Sequence, residues 1–358
     1  MVNTLSEIGE RQLVEIVKKS VQKSPRVVIP IGDDCGGISL NGDGLVLVAT
    51  TDPCPTPLAR VIGYSADYFD FGWYSAVINL SDIASMGAKP LSLLVAVRAP
   101  NDMKLSELKR FYAGLGKACK QFACPLIGGD FQDGPRFEVV GSALGIGQRG
   151  RMLLRRNALP GDVVVVIGEL SLFWACALSL MKGLTIEKMS KSLIHRVLLH
   201  PLPRLEMGIN LAKQGLARCA MDASDGLTVT FKELAKASKV DFFISFEGVQ
   251  VHPVVTEVAN ILRVNPWNLL RGWGDWQLVV TMQKQNVPKA KKLAQRLRCP
   301  FHEVGQVKEG SGKVFFVNNG QVAPMNIIES ERFTGTSYFT NPIEEYVSRL
   351  LNTELCAD

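Results

Sequence analysis

Five short aspartate-containing segments, spread over two-thirds of the chain, constrain what this sequence can fold into. Apolar runs precede nearly all of them, so we expect each acid at the end of a buried element, where a loop begins. Carboxylates that converge at such ends repel one another unless a cation lies between them. The segments are Ile31-Gly-Asp-Asp34, Thr50-Thr-Asp52, Asn79-Leu-Ser-Asp82, Gly128-Gly-Asp130 and Asp222-Ala-Ser-Asp-Gly226.

These segments have a simpler explanation when each is taken alone. Asp and Asn are ordinary turn and cap residues, because their side chains bond nearby backbone N–H groups. Five such segments, four of them with the Asp beside a small residue after an apolar run, favour a shared site instead. All-carboxylate clusters suit Mg²⁺, which keeps several waters and bridges to substrate phosphates. The pattern therefore predicts nucleotide chemistry.

The composition predicts a soluble, cytoplasmic protein with two domains. A chain of 358 residues exceeds the usual size of one core, and 47% hydrophobic residues suffice to fill two. No apolar run approaches the roughly 18 residues that span a bilayer, so no membrane partner is expected. The eight cysteines form no Cys-x-x-Cys pair and the four histidines do not cluster with them, so the sequence predicts free thiols rather than a zinc site.

The positive charge of the chain is modest and dispersed. The net charge is +6, with Lys and Arg concentrated in residues 149–156 and 284–298 and few aromatic residues beside them. A nucleic-acid partner is therefore not expected. The run at residues 149–156 is typical of basic loops that face a phosphate, and the run at residues 284–298 is typical of the solvated face of a helix.

The hydrophobic periodicity predicts an α/β (α+β) class. Helical spacing covers residues 4–21 and 66–86, and strand-like runs cover residues 27–31, 45–50, 91–97, 125–127 and 163–167. Asn318-Asn319-Gly320 predicts the turn of a hairpin. The turn-rich segment 149–162 marks a domain boundary. We expect an N-terminal mixed-sheet domain (1–150), a C-terminal α+β domain whose sheet is covered by helices (151–340) and a C-terminal tail (341–358).

Two glycine-rich stretches resemble nucleotide-binding motifs but lack their context. Residues 145–150 have the spacing of the dinucleotide fingerprint, but Pro160 and Gly161 stop any helix after about nine residues. Residues 310–313 lack the first glycine of a phosphate-binding loop and are followed by Val. We interpret this second stretch as a hairpin turn.

An ordered set of motifs extends the aspartate pattern from about residue 7 to about residue 340. The set comprises Ile31-Gly-Asp-Asp-Cys35, Thr51-Asp52, the block 71–90 around Asn79-Leu-Ser-Asp82, Pro125-Leu-Ile-Gly-Gly-Asp130, Arg155 with Pro160-Gly-Asp162, His200-Pro-Leu-Pro-Arg204 and Met221-Asp-Ala-Ser-Asp-Gly-Leu227. It resembles the thiamine-monophosphate kinase family of the aminoimidazole ribonucleotide synthase-like superfamily. The blocks around Asn79 and Ser224 are the most specific.

The resemblance implies an ATP-dependent kinase with Mg²⁺ as its cofactor. It also implies a homodimer whose N-terminal sheets pair into a barrel, and a C-terminal domain that covers the site. Phosphoryl transfer asks a protein mainly for positioning and charge neutralisation, which metal ions held by carboxylates supply. By motif, the metal ligands are Asp34, Thr51, Asp52, Asp82, Asp130, Asp222 and Asp225, the ATP contacts are Gly129, Asp130, Arg155 and Ser224, and the catalytic residues are Asp130 and Asp225. The sequence leaves open whether Asp33 or Asp34 faces the metal.

Two segments depart from the family pattern, both on the acceptor side. The family follows Thr-Asp with a Val-Glu-Gly-x-His-Phe type segment, but residues 53–60 contain no His. The family's Gly-Glu-Asp-Tyr-Glu-Leu becomes residues 272–278, in which Gly274 replaces the Glu and Asp275 remains as the candidate substrate contact. Trp273 and Trp276 beside it indicate either a flat apolar acceptor or simple packing. We expect retained ATP chemistry on a small-molecule phosphate acceptor other than thiamine monophosphate.

Three functions compete at this point. The leading one is a Mg²⁺-dependent ATP phosphotransferase. The second is an ATP-dependent ligase, cyclase or dehydratase that activates its substrate by phosphorylation. The third is a non-catalytic nucleotide-binding protein. A stable phosphorylated acceptor together with ADP identifies the first, phosphate release with bond formation the second, and ATP binding without turnover the third.

Overall fold

The chain folds around two mixed β-sheets, one from each half of the sequence. The computed structural model describes residues 4–21, 24–40, 44–329, 331–337 and 341–356. The first half contains α1 (Leu5–Ile8), α2 (Glu10–Ser20), β1 (Val27–Ile29), β2 (Gly36–Ser39), β3 (Leu45–Pro53), α3 (Leu58–Val61), α4 (Tyr68–Ser85), β4 (Lys89–Ala99), α5 (Leu105–Gln121), β5 (Leu126–Asp133) and β6 (Glu138–Gln148). The second half contains β7 (Asp162–Ile167), α6 (Leu172–Met181), α7 (Lys191–Ile194), α8 (Leu205–Lys213), β8 (Cys219–Asp222), α9 (Leu227–Ser238), β9 (Val240–Ile244), α10 (Pro253–Leu262), β10 (Leu278–Gln283), α11 (Val287–Arg296), β11 (Phe301–Glu309), β12 (Val314–Asn318), β13 (Gln321–Pro324) and α12 (Ile343–Asn352).

The first sheet has the strand order β1-β2-β3-β6-β4-β5. Strands β4 and β5 run parallel, and the other neighbours run antiparallel. Side chains that alternate along the strands, such as Val46, Val48 and Val95, join the core under α4 and α5. The side chains of the opposite face, which we call the open face, are half-buried or exposed; they include Leu47, Leu94, Val140, Leu144 and Ile146.

Helix α4 confirms the helix predicted over residues 66–86. The Asp67 carboxylate caps its first turn and accepts hydrogen bonds from the backbone N–H groups of Phe69, at 2.7 Å, and Asp70, at 3.3 Å. The Asp70 carboxylate in turn accepts from the Asp67 N–H at 2.9 Å, which completes a capping box. The helix ends before Gly87 and carries Asp82 in its last turn.

The second sheet has the strand order β13-β12-β9-β11-β7-β10-β8. Every residue of β7 is buried. Val164 and Val166 face the core that contains α9, and Val163 and Val165 face the core that contains α8 and α11. Helices therefore cover both faces, which confirms the predicted α/β class with a covered C-terminal sheet. We propose that the two sheets mark the two domains, 1–150 and 151–340.

Residues 341–358 were predicted as a tail, but part of this segment packs into the second half. Helix α12 buries Tyr346, Val347 and Leu350 in a third core with α6 and α10. The Tyr346 ring lies 5.4 Å from that of Trp174 in α6. The prediction was wrong here because a short amphipathic helix has the exposed polar composition of a tail.

Other differences from the predicted elements have local causes. The predicted helix over residues 4–21 is divided at Gly9, whose φ of 76° lies outside the helical region. The strand predicted over residues 125–127 is longer in the structure, where it corresponds to β5, Leu126–Asp133. The Gly-Gly-Asp segment therefore lies inside an edge strand and not in a loop. Residues 310–313 do not form a hairpin turn, because β9 lies between β11 and β12. The turn predicted over residues 318–320 does join β12 and β13 as a hairpin.

No helix in the part of the chain that the structure describes is both long and apolar enough to cross a membrane.

Candidate active site

Two carboxylates meet where α4 crosses the end of β3. The alternation of β3 turns Thr50 and Asp52 towards α4 and turns Thr51 to the open face. Thr50 Oγ1 donates a 2.5 Å hydrogen bond to Asp82 Oδ2. The carboxyl groups of Asp52 and Asp82 lie close enough for each to affect the pKa of the other. The first half of the chain thus contributes a pair of adjacent acids.

A third carboxylate comes from the second half, at the end of β8. Asp222 is buried, and both of its oxygens accept hydrogen bonds, Oδ2 from Ser81 Oγ at 2.6 Å and Oδ1 from Ser224 Oγ at 2.9 Å. Its backbone oxygen accepts from Thr230 Oγ1 in α9 at 3.1 Å. Asp225 follows in the turn that leads into α9, and its exposed side chain lines a cleft beside the cluster.

Asp34 completes the cluster. One carboxylate oxygen from each of Asp34, Asp82 and Asp222 lies within 4.8 Å of the others. The guanidinium group of Arg155 pairs with Asp34, and the backbone N–H of Arg155 donates to Asp33 Oδ1 at 3.3 Å. Of the two acids that the sequence left open, Asp34 faces the cluster. Its Oδ2 atom is buried and has no hydrogen-bond partner among the described residues.

Burial and mutual repulsion raise the pKa values of these carboxyl groups. Burial, reinforced by Asp52 and Asp222, raises the pKa of Asp82 well above its usual range. Burial, reinforced by Asp34, raises the pKa of Asp222 to about 7 and that of Asp33 to about 6. A cation between the acids would remove this repulsion. The all-oxygen donor set and the unpaired Oδ2 of Asp34 fit Mg²⁺.

A small cleft of about 80 Å³ opens beside the cluster. Trp273 and Trp276 line it although they are only 5% and 6% exposed, so both tryptophans pack in the interior and also border the cleft. The polar wall consists of Asp52, Asp82, Asp222, Ser224, Asp225 and Arg332, and the other wall of Pro53, Pro55, Tyr74, Ile78, Trp273, Gly274 and Trp276.

Three predicted site residues do not reach this cluster within one chain: Thr51, Gly129 and Asp130. Asp130 pairs with Ala96 in β4, and β6 separates β4 from β3. It therefore lies three strands, about 14 Å, from β3. By register, its side chain shares the open face with that of Thr51, whereas Gly129 lies in the row of Asp52.

The predicted substrate contact, Asp275, also lies outside the cleft. It borders a separate small cavity of about 40 Å³ together with Glu169, Arg204 and Gln277. Its carboxylate accepts a hydrogen bond from Gln277 Nε2, and Gln277 Oε1 accepts one from Arg204 at 2.8 Å. Burial raises the pKa of Asp275 to about 7. The positive φ of Gly274, 87°, turns the chain between the two cavities.

The structure adds three side chains that were not among the predicted site residues. Thr50 lies two residues before Asp52, so strand alternation could have placed both on one face. Ser81 belongs to the Asn-Leu-Ser-Asp block but has no metal-ligand character of its own. Arg332 borders the polar wall and lies 3.7 Å from Glu10, Nε to Oε2. No motif or periodicity marks Arg332 in the sequence.

Comparisons with known proteins agree with the fold. The model of the AIR synthase related protein N-terminal domain matches residues 32–147, and that of the C-terminal domain matches residues 160–318. The chain belongs to the AIR synthase related protein family.

Several curated relatives are named thiamine-monophosphate kinase. The Pyrococcus abyssi protein is 28% identical over 312 residues, which cover 85% of this chain and 91% of that protein. The Aquifex aeolicus protein is 29% identical, covering 89% and 97%, and the Synechococcus elongatus protein is 30% identical, covering 66% and 72%. These relatives confirm the predicted family and the predicted class, a kinase.

Solved structures show the same architecture. A structure described as AaThiL complexed with AMPPCP and TMP superposes with a TM-score of 0.74 at 27% identity and covers 90% of this chain and 96% of its own. Thiamine-monophosphate kinase from Stenotrophomonas maltophilia K279a gives a TM-score of 0.68 at 26% identity, covering 86% and 96%. The predicted mixed α/β fold is confirmed.

Proposed function

We propose that this chain is a Mg²⁺-dependent ATP phosphotransferase that acts on a small-molecule acceptor. The observation that carries the proposal is the convergence of Asp34, Asp52, Asp82 and Asp222, with one oxygen of Asp34 unpaired. Bound Mg²⁺ supplies neutralisation of phosphate charge, which is most of what phosphoryl transfer requires. The kinase names of the relatives and the AMPPCP-bound structure support this function.

The residues around the cluster would orient both the metal-holding acids and the nucleotide. Ser81 and Ser224 both donate to Asp222 and so fix its carboxylate. Arg155 is fixed by Asp34, while its Nε is buried and unpaired among the described residues. That N–H group can donate to a phosphate oxygen in a charge-assisted hydrogen bond. The proposed metal-holding acids of the cluster are Asp34, Asp52, Asp82, Asp222 and Asp225.

We propose that the acceptor differs from thiamine monophosphate, after which the relatives are named. Pro53, Pro55 and Gly274 line the cleft together with the carboxylates, and none of these three side chains can donate or accept a hydrogen bond. Trp273 and Trp276 add apolar surface to the same cleft. The cleft therefore suits an acceptor with a flat apolar part, whose phosphorylated group lies towards the acids.

Product analysis tests the proposed reaction. The protein is incubated with Mg²⁺-ATP and a panel of metabolites that includes thiamine monophosphate, and the products are followed by ³¹P NMR. The proposal expects ADP and a stable phosphorylated acceptor in equal amounts. Release of inorganic phosphate with formation of a new bond in the acceptor would identify a ligase, cyclase or dehydratase instead. ATP binding without turnover on any acceptor would identify a non-catalytic protein.

We also propose a homodimer that covers the open face of the first sheet. Leu47, Leu94, Val140 and Ile146 lie on this face, and contiguous apolar surface of this kind marks an interaction site. Face-to-face sheets pack about 10 Å apart. If the two-fold axis runs along the strands and passes between β6 and β4, β3 of one copy lies opposite β5 of the other. This arrangement brings the face that carries Asp130 towards the face that carries Thr51.

Mixed dimers test whether Asp130 serves the cleft of the other copy. Differently tagged Asp82→Asn and Asp130→Asn chains are co-expressed, and the mixed dimer is purified through both tags. If Asp130 acts across the interface, one of the two sites in the mixed dimer is intact, and about half of the wild-type activity remains. Each variant homodimer should be inactive. A mixed dimer as inactive as the homodimers would place Asp130 in its own chain's site, and an active Asp130→Asn homodimer would place it outside both sites.

A cytoplasmic location remains part of the proposal. The eight cysteines are all unpaired thiols, and burial raises the pKa of Cys124 to about 12. Unpaired thiols fit a reducing compartment. Cell fractionation tests the location, and recovery of the protein from an oxidising compartment would contradict it.

A further inference from the structure

A second cluster of metal-ligating side chains lies outside the carboxylate cleft, at the start of α4. Asp70, His195 and His200 each offer one atom, and the three atoms lie within 4.8 Å of one another. His200 Nε2 is 2.9 Å and His195 Nε2 is 3.7 Å from the same oxygen, Asp70 Oδ1. The Asp70 side chain is buried, whereas that of His195 is 50% exposed, so an ion could enter from solvent.

An unusual backbone turn brings the two histidines together. Residues His195–Leu199 form a π-helical turn, and the backbone N–H of His200 donates to the carbonyl oxygen of His195 at 2.9 Å. In an α-helix, residues five apart point in directions about 140° apart. The wider π turn instead places them near one another, and their rings lie 4.2 Å apart. Such turns are rare and frequently mark functional sites.

We propose that Asp70, His195 and His200 form a site for a borderline divalent metal ion such as Zn²⁺. Two imidazoles and one carboxylate are a common set of three protein ligands, with the fourth position left to water. A tetrahedral ion with bonds of about 2.1 Å separates its ligand atoms by about 3.4 Å. The observed separations of 2.9 and 3.7 Å lie on either side of this value. Each of these two separations is thus within about half an ångström of the tetrahedral value, and the third is below 4.8 Å.

Neighbouring groups hold two of the three ligands in place. The second carboxylate oxygen of Asp70 accepts the Asp67 N–H at 2.9 Å, which leaves Oδ1 directed at the histidines. Trp73 stacks on the His200 ring, with centroids 4.7 Å apart, and its Nε1 donates to the Pro201 carbonyl at 3.0 Å. Partners of this kind fix ligand orientation and strengthen metal affinity.

The site is separate from the proposed nucleotide cleft in position and in chemistry. Asp70 and Asp82 lie on the same helix, twelve residues or about 18 Å apart. The cleft offers oxygen ligands suited to Mg²⁺, whereas imidazole ligands select transition metals. A metal at the second site would connect α4 of the first half to the turn at residues 195–200 of the second half.

A Co²⁺ titration of the full-length protein in excess Mg²⁺ tests the proposal, because tetrahedral Co²⁺ absorbs in the visible range. We expect one equivalent bound by the wild type. His195→Ala, at a half-exposed position, should weaken Co²⁺ binding on the order of 100-fold or more, while Asp82→Asn should leave it unchanged. Zn²⁺ should also raise the melting temperature of the wild type but not of His195→Ala.

Other outcomes would contradict the proposed metal site. Wild-type protein that binds no Co²⁺, or a His195→Ala variant that binds Co²⁺ as tightly as the wild type, would overturn the site. Loss of Co²⁺ binding in Asp82→Asn would assign the ion to the carboxylate cleft instead. His200→Asn provides a second ligand variant. Circular dichroism confirms that each variant is folded before its affinity is compared.

Discussion

Ser81 Oγ donates a 2.6 Å hydrogen bond to Asp222 Oδ2, and this contact joins the last turn of α4 to the end of β8 across 141 residues of sequence. It connects the acids of the first half, Asp52 and Asp82, to the acid of the second. The carboxylate cluster therefore exists only where both halves have folded and docked. A ligand that binds the cluster should stabilise that docking, because it binds the assembled state alone.

Asp82→Asn should abolish tight Mg²⁺-ATP binding without unfolding the protein. Removing one acid leaves a metal underligated, and a loss of several kcal/mol corresponds to a fall in affinity on the order of 100-fold or more. The metal-free variant should melt at the same or a higher temperature than the wild type, because its buried like charges are fewer.

Asp102→Asn is the matched control, since Asp102 is exposed in a turn. Calorimetric titration measures the nucleotide affinity, and thermal unfolding measures the melting temperature. Wild-type nucleotide affinity in Asp82→Asn would refute the assignment of this residue.

Val140→Asp should convert a dimer into a folded monomer. Val140 is 39% exposed on the open face, so the change leaves the interior of one chain intact and introduces a desolvated charge into the proposed interface. Light scattering at micromolar concentration should give twice the mass of the 39.2 kDa chain for the wild type and the single mass for the variant. A wild-type protein that is monomeric in this measurement would rule out the dimer.

Asp275→Asn should alter stability in a pH-dependent way. Burial raises the pKa of Asp275 to about 7, above the value of about 3.9 in an unfolded chain. A carboxyl group whose pKa rises on folding destabilises the fold increasingly as pH rises from the unfolded to the folded pKa. The melting temperature of the variant, relative to the wild type, should therefore increase between about pH 4 and pH 7 and then level off.

Scanning calorimetry across this range, with Asp102→Asn for comparison, provides the measurement. A difference in melting temperature that does not vary with pH would show that Asp275 titrates normally in the folded protein.

Thiamine monophosphate should be a poor acceptor, and restoring the family carboxylate should not rescue it. A missing polar contact to a ligand reduces affinity by about 1–3 kcal/mol, or more where a charge is involved. Gly274→Glu places a side chain at a φ of 87°, where its Cβ would lie 3.1 Å from the Phe173 ring. Steady-state kinetics under saturating Mg²⁺-ATP decide the point. An efficiency of roughly 10⁴ M⁻¹s⁻¹ or higher would show that the altered segments do not affect this acceptor.

The elements that sequence predicted well are those with a regular period. Helix α4 and strand β7 follow their hydrophobic patterns closely, because packing against one core imposes that period. The extent of β5 was missed because its residues are exposed at a sheet edge, where pairing with β4 and not burial holds the strand. Division of the first helix at Gly9 depends on one positive φ, which a periodic pattern does not show.

The candidate site was predictable to the extent that its residues lie at the ends of recognisable elements. Asp52, Asp82 and Asp222 were identified in this way, and the structure brings them together. The position of Asp130 could not be predicted, because it depends on the order of the strands in the sheet, and the sequence does not fix that order. The pair of His195 and His200 was missed because a spacing of five residues becomes a contact only in a π turn.

The most direct test of the account is the dependence of ATP binding on Mg²⁺. Isothermal titration of wild-type protein with a non-hydrolysable ATP analogue is performed in excess Mg²⁺ and again in EDTA. We expect saturable binding of the analogue in Mg²⁺ and no measurable binding in EDTA, because the unscreened acids of the cluster repel the phosphates. Equal affinity in the two conditions would contradict a metal-dependent nucleotide site at Asp34, Asp82 and Asp222.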